Sequence, residues 1–484
     1  MAIKSQLIGL LLSVCDDLRS HGASRVKSAR RALSHRINGP ARLNRRAGLL
    51  GTLLLVLMAT RAGATNQQSL PNPLTLSQAL TIALSNNSIL REAQSRLEQA
   101  SGQYGQSRAA LLPQLGVMAR QAYLTINLQG LGIEIPNVSQ VKSPPFGSMD
   151  ARVVLSQDLL NIANRQAWKS SRSKQESSRL LVDDAREVVV LDVVAAYLQA
   201  LRAKASRDTL AEQTKLANDL YKLTEDRVKQ GVSAPLEGNR ALQQVNSLQQ
   251  QLEEAEQGYI AAKLTLANTL QTGITADFEV EDAAAYGAET TLDRDVSVSA
   301  ALDSRPDYRA AKSSIMAAEL QVKSIKAYRL PTLSANLSDG QSGGSPVHNV
   351  NTYALAATLD FPIYTGGRIR GQIEEALGAL REAQARADQL RSQIETDVLT
   401  AIAGVEWAVK EVATSATNVK LSREEVELTR QRFAQGVTDN TEVVNAQDRV
   451  SRADDARVRA MYTLGLARAN LARATGAAEK TYRK

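Results

Sequence analysis

Two hydrophobic periods take turns along this chain. From about residue 368 to 434, Val398, Val405, Val412, Val419, Val426 and Phe433 recur every seven residues, and Ile394, Ala401 and Ala408 supply a companion seam. That spacing is the heptad of helices packed side by side. A helix of this length reaches about 100 Å at 1.5 Å per residue. Its first-half counterpart, about 164 to 229, contains no glycine, and no proline occurs between Phe146 and Ala234 or after Pro362. Both stretches are rich in strong helix formers. Each ends at Gln-Gly-Val, a turn signal at Gly231 and at Gly436, after which shorter helices return over about 236 to 270 and 441 to 475.

Between these helical stretches the period falls to two. After Pro113, Ala122, Leu124, Ile126 and Leu128 alternate with Gln121, Tyr123, Thr125 and Asn127; after Pro331, Leu333, Ala335 and Leu337 alternate with Thr332, Ser334, Asn336 and Ser338. Partner runs follow loops rich in Gly, Pro and Ser: Val153, Leu155 and Leu159 in the first half, and Tyr353, Leu355, Ala357, Leu359 and Phe361 in the second. Each half therefore carries one hairpin of about ten-residue strands, long enough to cross a bilayer when tilted, with one apolar face. A hairpin packed on a helical core in water would show the same alternation.

The two halves are copies. At an offset of 218, eleven of the 33 residues from Ala83 to Leu115 meet identical residues, ending at Leu330, Pro331 and Leu333. At an offset of 205, Arg227, Gln230, Gly231, Val232, Glu237, Ala241 and Val245 recur as Arg432, Gln435, Gly436, Val437, Glu442, Ala446 and Val450. The duplicated unit is about 210 residues, far longer than a solenoid repeat. The organisation expected is an N-terminal extension and signal peptide over 1–64, a first repeat over 65–272, an equatorial linker over 273–301, a second repeat over 302–476 and a tail over 477–484. Strands are expected at about 114–129, 150–160, 332–339 and 351–361.

Composition then removes most chemistry. Of 484 residues 43% are apolar but only 4% aromatic, and there is one cysteine and three histidines, two of them in the first 64 residues. No disulfide framework, thiolate cluster or His-based metal site can be built from these, and no P-loop or paired-carboxylate signature is present; catalytic, cofactor-binding and metal residues are all expected to be none. The net charge of +8 sits in the leader, since residues 1–64 hold eleven Lys/Arg and two Asp, leaving 47 basic and 48 acidic residues beyond them. Such balance gives no footprint for nucleic acid. Within the leader, Arg42, Arg45 and Arg46 precede an apolar run from Ala47 to Met58, and Ala62-Gly63-Ala64 follows as a cleavage signal. This predicts export, with Thr65 the first mature residue. The preceding 46 residues are long for such a region, and Leu12-Ser13-Val14-Cys15 is a second, poorer candidate of lipoprotein type.

Strands can span a membrane only as a closed wall, because every backbone polar group must be paired. Four strands cannot close. Three copies would give twelve and an interior wide enough for an aqueous pore.

The helix opening Leu76-Ser77-Gln78-Ala79-Leu80, the Leu-Leu-Pro of 111 to 113, the duplicated Arg-x-x-Gln-Gly-Val tips and the run from Leu466 to Gly476 resemble the TolC-like outer-membrane efflux factor family over 74 to 476. The resemblance implies a mainly α fold with a membrane β-hairpin in each half: long antiparallel coiled-coil helices forming a periplasmic α-barrel, and four strands per chain completing a 12-stranded trimeric β-barrel. It implies residence in the cell outer membrane with a large periplasmic portion. It also implies a passive exit duct for efflux or type I secretion, a homotrimer in outer-membrane lipid, docked to a periplasmic adaptor protein and an inner-membrane pump of RND, ABC or MFS type. By the same resemblance Gly231, Val232, Ser233, Gly436, Val437 and Thr438 form the adaptor-docking tip, and Glu237, Glu442 and Asn445 match positions at the closed aperture. Asn445 departs from the acid of the family pattern, which weakens a carboxylate ring. Glu237 and Glu442 also fit first-turn acids favoured by the helix dipole. Asp158, aligned with Pro362, is a second departure, expected to reshape the first-half passage from strand to helix. The competing reading is a periplasmic coiled-coil adaptor of membrane-fusion type.

Overall fold

A computed structural model describes residues 70–127, 142–273, 277–281, 293–345, 347–435, 437–438 and 440–483. The leader with Cys15, Leu128, Gly436 and residues 274–276 and 282–292 of the equatorial linker lie outside the described residues.

The chain order is α1 (Leu76–Asn86), α2 (Ser88–Ala109), β1 (Gln114–Leu124), β2 (Phe146–Leu160), α3 (Ile162–Lys229), α4 (Pro235–Leu270), α5 (Arg294–Ser304), α6 (Pro306–Lys326), β3 (Thr332–Gly343), β4 (Asn349–Asp360), α7 (Arg368–Ala434), α8 (Asn440–Ala474) and α9 (Ala478–Tyr482). The long helices hold 68 and 67 residues, about 100 Å each. The seam read from the heptads runs inward: Ile394, Val398, Val405, Ala408, Val419 and Phe433 are buried and Val412 and Val426 half-buried. Against this core, α7 packs on α8 and α6, while α3 packs on α4, α6, α2 and α8.

Breaks between helices fall where side chains replace missing backbone partners. Thr75 and Gln78 form a reciprocal capping box at the start of α1. Asn87, in extended conformation, ends α1 and caps α2 through Ile89. Proline opens α4 and α6, where its missing N–H costs nothing.

The four strands form one antiparallel meander in the order β1-β2-β3-β4. The central β2–β3 pairing joins the two copies of the repeat. Below the sheet, the main core gathers Leu80 and Ala83 of α1, Val190 and Tyr197 of α3 and Leu266 of α4 beneath Phe278 and Val280. Tyr197 donates to the carbonyls of Leu74 and Glu281 at 2.8 Å each, strapping the linker to the long helix.

Candidate functional site

The register assigns each strand residue to a face, since directly opposed residues in antiparallel pairs share one. Leu115, Leu155, Leu337 and Leu355 lie in one cross-strand row, Val117 and Val153 in the next, and Leu333 opposes Leu359. The other face carries Met118 and Arg152, Arg120 and Asp150, and Ser156 and Asn336. The sheet is therefore apolar on one side and polar on the other, with Gln121, Asp339, Gln341, Asn349 and Asn351 breaking the apolar side toward the hairpin ends. Its outer edges, β1 and β4, have no strand partner among the described residues.

Two sequence expectations for the sheet are corrected. In β1 the apolar face comprises Leu115, Val117, Ala119 and Tyr123, not Ala122, Leu124 and Ile126; the ladder ends at Leu124, so most of the alternation beyond Gln121 lies past it. Tyr123, counted as polar, is the amphipathic ring on that face. In β2 a bulge between Asp158 and Leu160 brings Leu160, not Leu159, opposite Leu333.

That bulge introduces the asymmetry expected at Asp158. Its carboxylate accepts from Asn161 Nδ2 at 2.8 Å and Asn164 Nδ2 at 3.0 Å, while Asn161 Oδ1 accepts from the N–H of Asn164. One residue thus turns β2 into α3. In the second half the passage takes residues 361–367, including Gly366 and Gly367 at φ 59° and 85°.

At the opposite end of the helices both turns close the same way. The N–H of Gly231 bonds the Val228 carbonyl at 3.0 Å and that of Val232 the Arg227 carbonyl at 2.9 Å, a Schellman ending that needs the left-handed φ of 72° at Gly231. In the second copy Val437 bonds the Arg432 carbonyl at 2.9 Å. Val232 and Val437 project into solvent, 64% and 63% exposed, while Ser233 is half-buried. The described backbone bonds of the two turns match, and their side chains differ. Arg432 pairs with Glu442 at 3.2 Å, and Thr438 donates to the same carboxylate. Its counterpart Arg227 instead lies 4.6 Å above the ring of Phe433, so Glu237 has no ion pair among the described residues. Arg240 Nη1 donates to Thr441 Oγ1 at 2.9 Å, tying the first turn of α8 to α4. Asn445 is exposed one turn beyond Glu442.

Sequence reasoning missed a polar girdle at mid-length. Arg305, 6% exposed at its side chain, chelates Asp307 at 2.7 Å and reaches Asp397 at 3.2 Å and the Ala474 carbonyl at 3.5 Å. Duplication explains its place. Asn87 stands at the same repeat position and donates to Thr269, the counterpart of Ala474, at 3.4 Å. The helices they hold end in left-handed residues, Gln271 and Gly476. Beside this, Arg473 pairs with Asp184 at 2.6 Å, and Glu187 accepts the N–H groups of Ala478 and Glu479 at the start of α9. Burial raises the pKa of Glu187 despite those bonds. Burial also acts on Asp307, but the hydrogen bonds and charge of Arg305 outweigh it and hold its carboxyl below the usual range.

Glu187 therefore binds its proton more tightly in the folded state, which adds stability as pH falls through its raised value toward the unfolded one near about 4.3. Glu187→Gln is expected to flatten that rise in thermal unfolding followed as pH is lowered from neutral toward the unfolded value. An unchanged slope would remove Glu187 from the pH response.

No helix among the described residues is long and apolar enough to cross a membrane, and no group of three or more potential metal ligands occurs among them. A family model described as outer membrane efflux protein matches residues 79–272 and 297–477. The chain is 28% identical over 406 residues to the pyoverdine export outer membrane protein OpmQ of Pseudomonas putida, covering 79% of this chain and 82% of that protein. It is 25% identical over 398 residues to outer membrane protein OprJ of Pseudomonas aeruginosa, covering 77% and 78%. Its fold matches the outer membrane protein VceC of Vibrio cholerae with a TM-score of 0.72 at 19% identity, over 83% of this chain and 96% of that one. The CmeC outer membrane channel of Campylobacter jejuni matches at 0.68 and 18% identity, over 92% and 94%.

Proposed function

From the premise that the chain belongs to the outer membrane efflux protein family, whose members are outer-membrane channels and not enzymes, we propose that three copies join edge to edge as the passive exit duct of a tripartite pump. The free β4 edge of one copy meets the β1 edge of the next, closing twelve antiparallel strands with the apolar face toward lipid. The single observation that carries this is the amphipathic sheet whose two edges have no strand partner among the described residues. Exposed leucines on the long helices support it: Leu216 and Leu223 of α3 and their counterparts Leu421 and Leu428 of α7 are each about half or more exposed. A ring buries such a repeated stripe between copies.

The test is covalent. With Cys15 changed to Ser, Val117→Cys is combined in turn with Ala354→Cys, Leu355→Cys or Ala356→Cys; at least one pair is expected to give a disulfide-linked trimer in outer-membrane fractions. Monodisperse monomer in detergent with no cross-link in any pair overturns the ring.

The other end supports docking. The paired turns at Gly231-Val232-Ser233 and Val437-Thr438 offer exposed valines on a rigid backbone to a periplasmic adaptor, beneath which the inner-membrane pump supplies the energy. Glu237, with no ion pair among the described residues, is the carboxylate left to face an aperture, whereas Glu442 braces its own turn. Reconstituted in a planar bilayer, the protein carrying Glu237→Ala and Glu442→Ala is expected to show a severalfold higher mean conductance. Unchanged conductance would remove both residues from the gate. The periplasmic-adaptor reading falls with the family assignment.

A further inference from the structure

The side of α3 that continues the apolar face of the sheet carries a short row of cations. Arg165, Lys169 and Arg172 stand at i, i+4 and i+7, within about 60° of one another at 100° per residue, and all three are exposed. None makes an ion pair among the described residues. They begin five residues beyond Leu160, the last residue of β2.

Neighbouring helices settle which way the row looks. Ser170 and Ser177 donate to carbonyls of α6, while Gln175 donates to Ser101 of α2 and Trp168 lies 6.3 Å from Tyr104 of that helix. These two neighbours divide the surface of α3 into two open sides. Asn164, bound to Asp158 beside the polar face of the sheet, stands on one. The three cations stand on the other, the side of Leu155, Leu337 and Leu355.

Arg172 attracts Glu176 through space, but little else in this placement rewards the charges. The first turn of α3 holds no acid, and the positive end of the helix dipole disfavours cations there. The groove over this face, about 730 Å³, is lined by Lys169, Arg172 and Trp168 with Leu97, Met316 and Leu320 as apolar wall. Its acid Glu176 is already taken by Arg179 at 2.8 Å. In the second half the corresponding Arg370 is paired with Glu374 at 3.0 Å, so the free row belongs to the first half alone.

Resting on the membrane-spanning reading above, we propose that Arg165, Lys169 and Arg172 bind the phosphate of an anionic phospholipid in the inner leaflet of the outer membrane. The row lies about 7 to 18 Å along the helix from the last strand residue at 1.5 Å per residue. Long Arg and Lys stems extend back toward the headgroup layer from that depth. Leu97, Met316 and Leu320 then cover the glycerol and upper acyl chain. Three such rows, one per copy, would fix the depth of the barrel against the helical duct, in the way juxtamembrane basic clusters hold anionic lipid.

The test uses the assembled protein in nanodiscs. A Trp407→Phe background leaves Trp168, beside the row, as the only tryptophan. Its quenching by headgroup-labelled phosphatidylglycerol is compared with that by equally labelled phosphatidylcholine, in wild type and in Arg165→Gln/Lys169→Gln/Arg172→Gln. Preference for the anionic lipid is expected to fall by up to roughly a hundredfold in the triple variant. It should survive Arg165→Lys/Arg172→Lys and the control Lys215→Gln/Lys222→Gln/Lys420→Gln. Trimer recovery is scored separately, so loss of assembly tests the membrane-spanning reading and equal assembly isolates the lipid site. Equal preference in wild type and triple variant, or displacement of the lipid by millimolar inorganic phosphate, overturns the proposal.

Discussion

Leu337→Arg is expected to abolish detergent-resistant, heat-modifiable oligomers in the outer-membrane fraction, while Asn336→Arg, one residue away, leaves them intact. The two positions differ only in face. Leu337 sits midway along β3, between Leu155 and Leu355 in the row that unites all four strands. An arginine on the lipid side of a barrel costs about 2–4 kcal/mol near the bilayer midplane. In a ring of three the cost is met three times, comparable with the whole stability of an ordinary domain. Asn336 faces the polar side with Ser156, where an additional cation meets water. Equal damage from both substitutions would mean that the sheet does not stand in lipid, and equal tolerance would mean the same.

How far the pattern alone reaches is visible in the sheet. The second-half faces follow directly from their alternation, because Leu333, Ala335, Leu337, Leu355, Ala357 and Leu359 stay in phase. The first-half faces do not. Gly116 and Ala119 thin out the apolar signal at the start of β1, and the bulge at Asp158 shifts β2 by one residue. A single residue exchanges the faces of a strand, so a bulge made by three local side-chain bonds hides from any fixed period.

The helices were more legible than their ends. Seven-residue spacing survives along about 100 Å because each turn repeats the same packing problem. The tip turns also announce themselves in both copies, yet identical Arg and Glu residues behave differently. Phe433 offers Arg227 a ring, while Arg432 faces Glu442. The girdle around Arg305 was not legible at all. Asp397 and Ala474 lie 92 and 169 residues away in sequence, and duplication puts Asn87 in its place. Only the folded helices reveal that an amide in one half and a guanidinium in the other answer the same carbonyl.

Arg305→Met is expected to cost about 3–5 kcal/mol, because it breaks a buried pair from one side and strands the other charge. Arg305 is 6% and Asp307 14% exposed at their side chains. Asp397 is partly solvated and can recover water; Asp307 cannot. Adding Asp307→Asn to the variant should restore much of the loss, since the uncompensated charge is then gone. The pH response gives an independent reading. In the wild type Arg305 holds the Asp307 carboxyl below its ordinary value despite burial, so its contribution is present above about pH 3.9 and is lost as pH falls through the depressed value. Without the guanidinium, burial is the main influence left and raises the carboxyl instead. The folded state then binds the proton more tightly than the unfolded one, and the variant should regain stability between pH 7 and 5, where the wild-type pair is indifferent. Thermal dissociation of the purified assembly across that range measures it. A variant that tracks the wild type in both midpoint and slope would show that Arg305 is packed for its shape and that its charge holds nothing together.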